Sequence, residues 1–248
     1  MNSDTLDIQK EEAMDPKMIK AKKMLLVVGI ISIIMMFSGL TSAYIVSRGG
    51  APYWVNIKIP QAFWYSTIVM MLSSGTMIMA LRAAKSGKTA LRNGMLALSL
   101  VLGLTFVYSQ FQGWEEMVDN GLYLRGDFLE NLKGDYGTDY VITEQKSGLI
   151  VEYKEGHYFD PSDPTGTKII DEEIATMRNP ASSYMTFLTG IHAIHVGGGI
   201  LYLIYLLILG LMGRTGAEFT LKVNQGAVYW HFVDLLWIYL LLFLHFIH

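Results

Sequence analysis

The sequence predicts an all-α integral membrane protein, a five-transmembrane-helix bundle carrying a small β-rich extracytoplasmic insert. Composition is the first reason: 52% of residues are hydrophobic and only 17% are charged, far too apolar for an ordinary soluble chain. The second is the presence of five apolar stretches of about 20 residues, the length a helix needs to cross a hydrocarbon core. The alternation of a membrane barrel is absent, so the spans read as helices, whose backbone groups are satisfied within each segment.

In order, the spans are Met24 to Val46, Phe63 to Leu81, Gly94 to Trp114, Ser183 to Met212 and Ala227 to Ile247. They divide the chain into an N-terminal segment (1–23), a group of three spans (24–118), a polar insert (119–180) and a closing pair (181–248). Lys10, Lys17, Lys20, Lys22 and Lys23 precede the first span, Arg82, Lys85, Lys88 and Arg92 follow the second, and Arg214 and Lys222 follow the fourth. The opposite side has only Arg48 and Lys58 in its one short loop. By the positive-inside rule the N-terminus is cytoplasmic, and the insert and C-terminus are extracytoplasmic. The first span exceeds the apolar core of a signal peptide and more spans follow, so it reads as a retained anchor.

Between Asp119 and Pro180, 13 Asp or Glu residues face 6 Lys or Arg. This acidic segment contains Gly121, Gly126, Gly134, Gly137, Gly148 and Gly156, with short apolar alternations at Tyr140-Val141-Ile142 and Leu149 to Tyr153. These fit small hairpins better than helices. An acidic outer surface suits a basic electron carrier or a neighbouring subunit, and equally a solvated cap. Nothing in the charge pattern points to nucleic acid. Asn179-Pro180 before Ser182-Ser183 reads as the start of the fourth helix.

Cysteine is absent, which removes disulfides, thiolate metal sites, iron–sulfur clusters and covalently attached c-type haem. The chemistry that remains rests on a few ionisable residues inside the spans, where such groups mark a function or a partner by default. His192 and His195 stand at i and i+3 on the fourth helix, so both can point at one neighbour, about 14 to 18 Å from its outer end. Metal ligation, a proton path and hydrogen bonding to a neighbouring helix all fit, the last helped by Gly197, Gly198 and Gly199.

The fifth span opens with Tyr229-Trp230-His231-Phe232-Val233-Asp234-Leu235-Leu236-Trp237. His231 and Asp234 share a helix face, about 12 Å or less from the start of that span. An Asp within reach would hold the imidazole in one tautomer; proton transfer, helix pinning and lipid head-group binding all suit the pair. Tyr229 and Trp230 sit where an interfacial aromatic belt is expected. Glu115 and Glu116 close the third helix at the outer face, where a carboxylate can snorkel to water. The 15 methionines read as packing residues rather than metal ligands.

Spacing tests one alternative. His231 and His245 are 14 residues apart, a separation suited to two stacked haems. Such a site needs a matching pair on a second helix, and His192 and His195 are only 3 apart. A single-haem membrane cytochrome remains open, as does a stand-alone proton-coupled transporter, though a transporter is expected to show broken helices and a repeat between halves.

These residues resemble a known family. The run Tyr229 to Trp237 is similar to the closing signature of subunit III of haem-copper cytochrome c oxidases, and Gly190 to Val196 is similar to that family's paired-histidine signature one helix earlier. The likeness continues through Phe37 to Tyr44, Ser73 to Met77, Gly103 to Phe106 and Gln110 to Glu115, so all five spans are covered in order. It implies a five-helix bacterial-type form in the cytoplasmic membrane, lacking two N-terminal helices of the longer form. It also implies an accessory subunit that catalyses nothing itself. Haem and copper belong to partner subunits; this chain packs against catalytic subunit I beside subunit II, holds phospholipid in a cleft between helix groups and supports proton uptake. His192, His195, Trp230, His231, Asp234 and Glu115 match motif positions, which assigns them to helix packing, lipid contact or subunit contact, with no catalytic or metal-binding residue in this chain.

The sequence departs from the family at two places. A membrane-embedded Glu usual in the first shared helix is here Ile33, and the insert from Asp119 to Pro180 is 62 residues long. Loops of that length are often functional, which points to contact with an electron-donor complex or cytochrome c.

Overall fold

The computed structural model describes residues 16–122, 133–177 and 180–247. Lys10, Gly126 and Asn179, and most of the N-terminal segment, lie outside the described residues. Five helices are long and apolar enough to cross a membrane. They are α1 (Pro16–Gly50), α2 (Gln61–Lys85), α3 (Thr89–Asp119), α5 (Pro180–Leu211) and α6 (Gly216–Ile247); α4 (Asp171–Ala175) is a single turn and a half in the insert.

Helices α1, α2, α3 and α6 overrun the apolar stretches that predict them, because flanking Lys, Arg and Glu are good helix formers once outside the hydrocarbon. The largest overrun at a single end is in α6, which begins eleven residues before Ala227. There Glu218 and Lys222 form an i,i+4 pair at 3.1 Å, a spacing that supports a helix. His231 therefore lies about 22 Å from the start of α6, near the middle, and not within 12 Å of it as the apolar window alone implies.

Four of the five helices pack as one bundle: α2 and α3 form the most extensive pair, with α3 against α5, α2 against α6 and α5 against α6. Trp230 is its keystone. Fully buried, its ring lies so close to Gly103 and Gly199 that a Cβ on either would sit 2.9 Å away. Gly113 is tighter still, with the Phe63 ring 2.2 Å from where a Cβ would be. At the end of the bundle away from the insert, Arg92 is buried, donates to the carbonyls of Gly210 and Arg214, and stacks on Phe219 at 4.4 Å. A cation at the carbonyl end of α5 is where the helix dipole favours one.

The first helix stands apart. Its only buried residues are Phe37, Thr41 and Tyr44, and its aromatic and hydroxyl contacts with α5 and α6 begin at Phe37; nearer its start, Lys22 lies within electrostatic reach of Glu218 on α6. Phe37 meets His195 edge-on at 5.9 Å, Thr41 accepts from Tyr239 at 3.2 Å, and Ser47 bonds Tyr184 at 2.7 Å. Arg48 donates to the carbonyl of Ile247. Tyr44 packs edge-on against Trp54, Tyr184 and Phe243.

The insert is tied into the bundle. The short loop after α1 forms β1 (Tyr53–Ile57), which pairs antiparallel with β2 (Tyr140–Glu144) at Val55↔Ile142. The hairpin signal at residues 140–153 is present in the structure: Thr143 bridges Ile150 antiparallel, with the Glu144 amide donating to Leu149 and the Val151 amide to Ile142, both at 2.9 Å. Strand β2 has β1 as a second partner far upstream, and β3 (Glu152–Lys154) and β4 (His157–Phe159) make a further hairpin. Its turn, Glu155-Gly156, has positive φ at both residues, 54° and 90°, the geometry that matches strand twist in a two-residue loop.

Candidate functional site

The motif residues converge on the interface between α2 and α6. Hydroxyl residues on α2 recur seven apart, Ser66 with Ser73 and Thr67 with Ser74, so two adjacent columns face one side. On α6, Trp230 and Trp237 are also seven apart, with His231 and Asp234 between. The helices run antiparallel, and the two sets meet as donors and acceptors. Trp230 donates its indole N–H to Ser73 at 3.0 Å, Trp237 donates to Thr67 at 2.9 Å, and Ser74 bonds the Nδ1 of His231 at 2.6 Å.

Helix α3 joins the seam. Ser99 bonds Thr76 at 2.6 Å, Ser73 donates to the Ser99 carbonyl at 3.2 Å, and Gln110 donates to Ser66 at 3.0 Å. Between α3 and α5, Trp114 donates to Thr189 at 2.9 Å. In hydrocarbon, polar side chains of this kind hold helices together because no water competes for them.

Three expectations are corrected. Asp234 does not bond His231, whose Nδ1 is taken by Ser74; Asp234 is 4% exposed and neither of its oxygens has a hydrogen-bond partner within the chain, although Ser74 lies beside it as well. His192 and His195 do not share a neighbour. His192 is fully buried with neither ring nitrogen hydrogen-bonded, stacked on Trp237 at 5.1 Å and edge-on to Phe106 at 5.9 Å. His195 turns towards α1 and bonds its own Ile191 carbonyl at 2.8 Å. The cause is helical geometry: three residues advance about 300°, which leaves the two rings some 60° apart, enough to face different helices in a close bundle. Finally, Trp230 is no belt residue, since it fills the bundle centre.

Glu115 is exposed at the insert end of α3, away from the seam. Of the three glycines after the histidines, Gly199 alone receives a ring at close range. The sequence reading missed Thr67, Ser73, Ser74 and Gln110 as partners; the seven-residue recurrence of hydroxyls within an apolar span is the signal that finds them. Among the described residues no group of three or more His, Asp or Glu is placed to hold a metal ion.

A second feature lies where α1 splays from the bundle. A cleft of about 500 Å³ separates its first half from α5 and α6, with Lys22 at one end, Ile33 at the other, and Gly29, Gly198 and Tyr229 on its walls. The Tyr229 and Tyr202 hydroxyls are turned to backbone carbonyls, of His195 at 3.0 Å and Lys222 at 3.1 Å. The walls left facing the cleft are almost wholly apolar.

No family model matches the chain. Over 72 residues it is 39% identical to a probable cytochrome c oxidase subunit 3 of Mycobacterium bovis, a stretch covering 27% of this chain and 35% of that protein. The match thus spans about a third of that relative's length. Longer and weaker likenesses cover nearly everything. The cytochrome c oxidase subunit 3 of Corynebacterium diphtheriae is 24% identical over 222 residues, 86% of this chain and 82% of the relative. A probable cytochrome c oxidase subunit 3 of Mycobacterium leprae is 25% identical over 226 residues, 89% and 85%. These full-length likenesses support kinship with that subunit family.

Proposed function

We propose that this chain is a non-catalytic accessory subunit of a proton-pumping respiratory haem-copper oxidase, which reduces oxygen to water in other subunits. The observation that carries the reading is the α2–α6 seam, where Trp230, His231 and Trp237 of the family-like run are spent on Ser73, Ser74 and Thr67. Side chains so engaged hold helices in register. They support packing against catalytic subunit I, with subunit II alongside, in a bacterial cytoplasmic membrane with the insert outside. The five-helix form belongs to the same proposal.

The apolar cleft behind α1 is the lipid site of this reading. Its volume of about 500 Å³ and its apolar walls suit an acyl chain, with the phosphate of an anionic head group towards Lys22. Ile33 at the inner end keeps it apolar, so a carboxylate-dependent proton role is not part of the proposal, and support of proton uptake falls to lipid and subunit packing. Native mass spectrometry tests the site: Ile33→Trp fills the inner end and is expected to lower the number of retained lipids, and an unchanged count sinks it.

For the whole reading, the chain is tagged, extracted in mild detergent, and a reduced-minus-oxidised spectrum taken of what co-purifies. Haem and copper arriving with larger subunits, and lost when this chain is stripped away, support it. A colourless chain purifying alone, or haem retained by the isolated chain, overturns it. Asp234→Asn separates function from packing: the buried carboxylate has no charged partner and only Ser74 beside it, so its neutral isostere is expected to leave the isolated chain as stable or more so. The same change is expected to shorten the catalytic lifetime of the complex without abolishing electron transfer.

A further inference from the structure

The insert contains a pocket that neither the seam nor the cleft explains. It measures about 470 Å³ and is lined by Tyr136, Tyr140, Tyr153, Tyr158, Asp135 and Asp171. The rings are mutually braced. Tyr153 and Tyr158 lie 4.8 Å apart across the β3–β4 hairpin, and Tyr136 stands 5.5 Å from both Tyr140 and Tyr153. Phenol oxygens are held as well: Tyr136 donates to the Val151 carbonyl at 2.5 Å and Tyr140 bonds Tyr158 at 3.2 Å.

Asp171 is fixed too, accepting from the Tyr158 amide at 2.7 Å and meeting the His157 ring at 2.6 Å. Tyr153 is the exception, 45% exposed and open to whatever enters.

Aromatic faces attract cations through their ring quadrupole, and the two carboxylates add charge of the same preference. A quaternary ammonium has no N–H to give, so it would leave the phenol and carboxylate oxygens unused. An ammonium or guanidinium uses both kinds of wall. Among the described residues from 119 to 177, 11 Asp or Glu stand against 4 Lys, an acidic balance that favours a basic protein surface over a small solute.

We infer that this tyrosine-lined pocket receives an arginine or lysine side chain presented by a protein partner on the insert side of the membrane. The inference rests on the reading that the insert meets a partner, and adds the residue type that the partner inserts. The surrounding acidity draws the partner in; the pocket fixes its register.

The test uses the full chain in maltoside micelles and a tri-arginine peptide as probe, with its citrulline counterpart and tetramethylammonium as controls, followed by titration calorimetry at low salt. The arginine peptide is expected to bind, and both controls to bind poorly. Tyr153→Leu, which keeps apolar bulk but loses the ring, is expected to weaken binding about three- to tenfold, whereas Tyr153→Phe retains it. Glu144→Gln removes a carboxylate outside the pocket and is expected to change affinity by less than about twofold.

Unchanged exchange protection of the β3–β4 amides in Tyr153→Leu confirms that its insert is folded. If that protection is lost, Asp171→Asn replaces it as the pocket variant, with the same weakening expected. Equal binding of tetramethylammonium overturns the N–H-bearing cation. Equal binding of the citrulline peptide overturns cation recognition altogether. Arginine binding that falls alike in Tyr153→Leu and Glu144→Gln overturns the pocket while leaving a charge-guided partner contact in place.

Discussion

Two regions of the bundle with similar apolar sequences behave in opposite ways. The most apolar window of α1 is only 11% buried, whereas that of α6 is 56% buried. Apolarity therefore does not measure burial here, because lipid tails accept a Leu or Met as readily as a protein core does. The distinguishing marks of α6 are a Trp at each end of a heptad, a Gly, and polar side chains with partners on α2. Helix α1 makes its aromatic and hydroxyl contacts from Phe37 onward, and no residue before Phe37 is buried. Its first half diverges and leaves the cleft.

Breaking the four-helix side of this comparison has the largest effect. Trp230→Ala removes the ring held between Gly103 and Gly199 together with its bond to Ser73, and is expected to cost about 3 to 5 kcal/mol. Leu25→Ala, on the cleft-lining half of α1, is expected to change stability by less than about 0.5 kcal/mol. Thermal unfolding of the two variants in one detergent checks the contrast, and equal losses would erase the distinction between the regions.

Next comes Gly113→Ala, where the added methyl meets the Phe63 ring. Overpacking of this kind costs about 1 to 3 kcal/mol, read by the same unfolding assay, while Gly29→Ala, with open space around it, is expected to be neutral. Arg92→Leu strips the donors from the Gly210 and Arg214 carbonyls at a cost of about 1 to 3 kcal/mol, and opens the α3–α5 end to protease before the insert end.

A smaller change sharpens the attachment of α1. Tyr239→Phe deletes the bond to Thr41, worth about 0.5 to 1.5 kcal/mol, without touching the four-helix seam. Because the chain has no native cysteine, cysteines placed at Gly39 and Phe246 can report the motion of α1 by labelling rate. Faster labelling on α1 alone is the expected result; uniform acceleration would mean that α1 belongs to the bundle after all.

The smallest effect concerns pH and the insert. The hydrogen bond from His157, helped by the Tyr158 amide, holds the Asp171 carboxyl below the usual carboxylate range. A depressed folded-state value contributes stability that is present above the unfolded pKa, about 3.9, and is lost as pH falls through the folded value. Protection of the Tyr158 amide against exchange should persist through neutral and mildly acidic pH and decline only below the ordinary carboxylate range. A decline at neutral pH or above would contradict the assignment to Asp171.

Much of the candidate site was legible residue by residue, since His192, His231, Asp234 and Trp230 announce themselves as ionisable or bulky polar groups in apolar spans. Their partners were not, because a serine is unremarkable until a neighbouring helix brings a histidine to it. The pairing of His231 with Asp234 looked natural from their spacing, yet Ser74 stands closer. The paired histidines likewise diverge because three residues on a helix leave about 60° between them, and two different helices fill that angle.

Sequence alone determined the number of spans and the class of fold, because bilayer thickness and the cost of unpaired backbone groups in hydrocarbon leave so few alternatives. It also determined the acidity of the insert and the absence of sulfur chemistry. Only the tertiary structure decided which apolar faces are interior and that β2 crosses back to the loop after α1. Those outcomes depend on contacts between residues distant along the chain, and the pattern of any one segment carries no information about which distant segment will meet it.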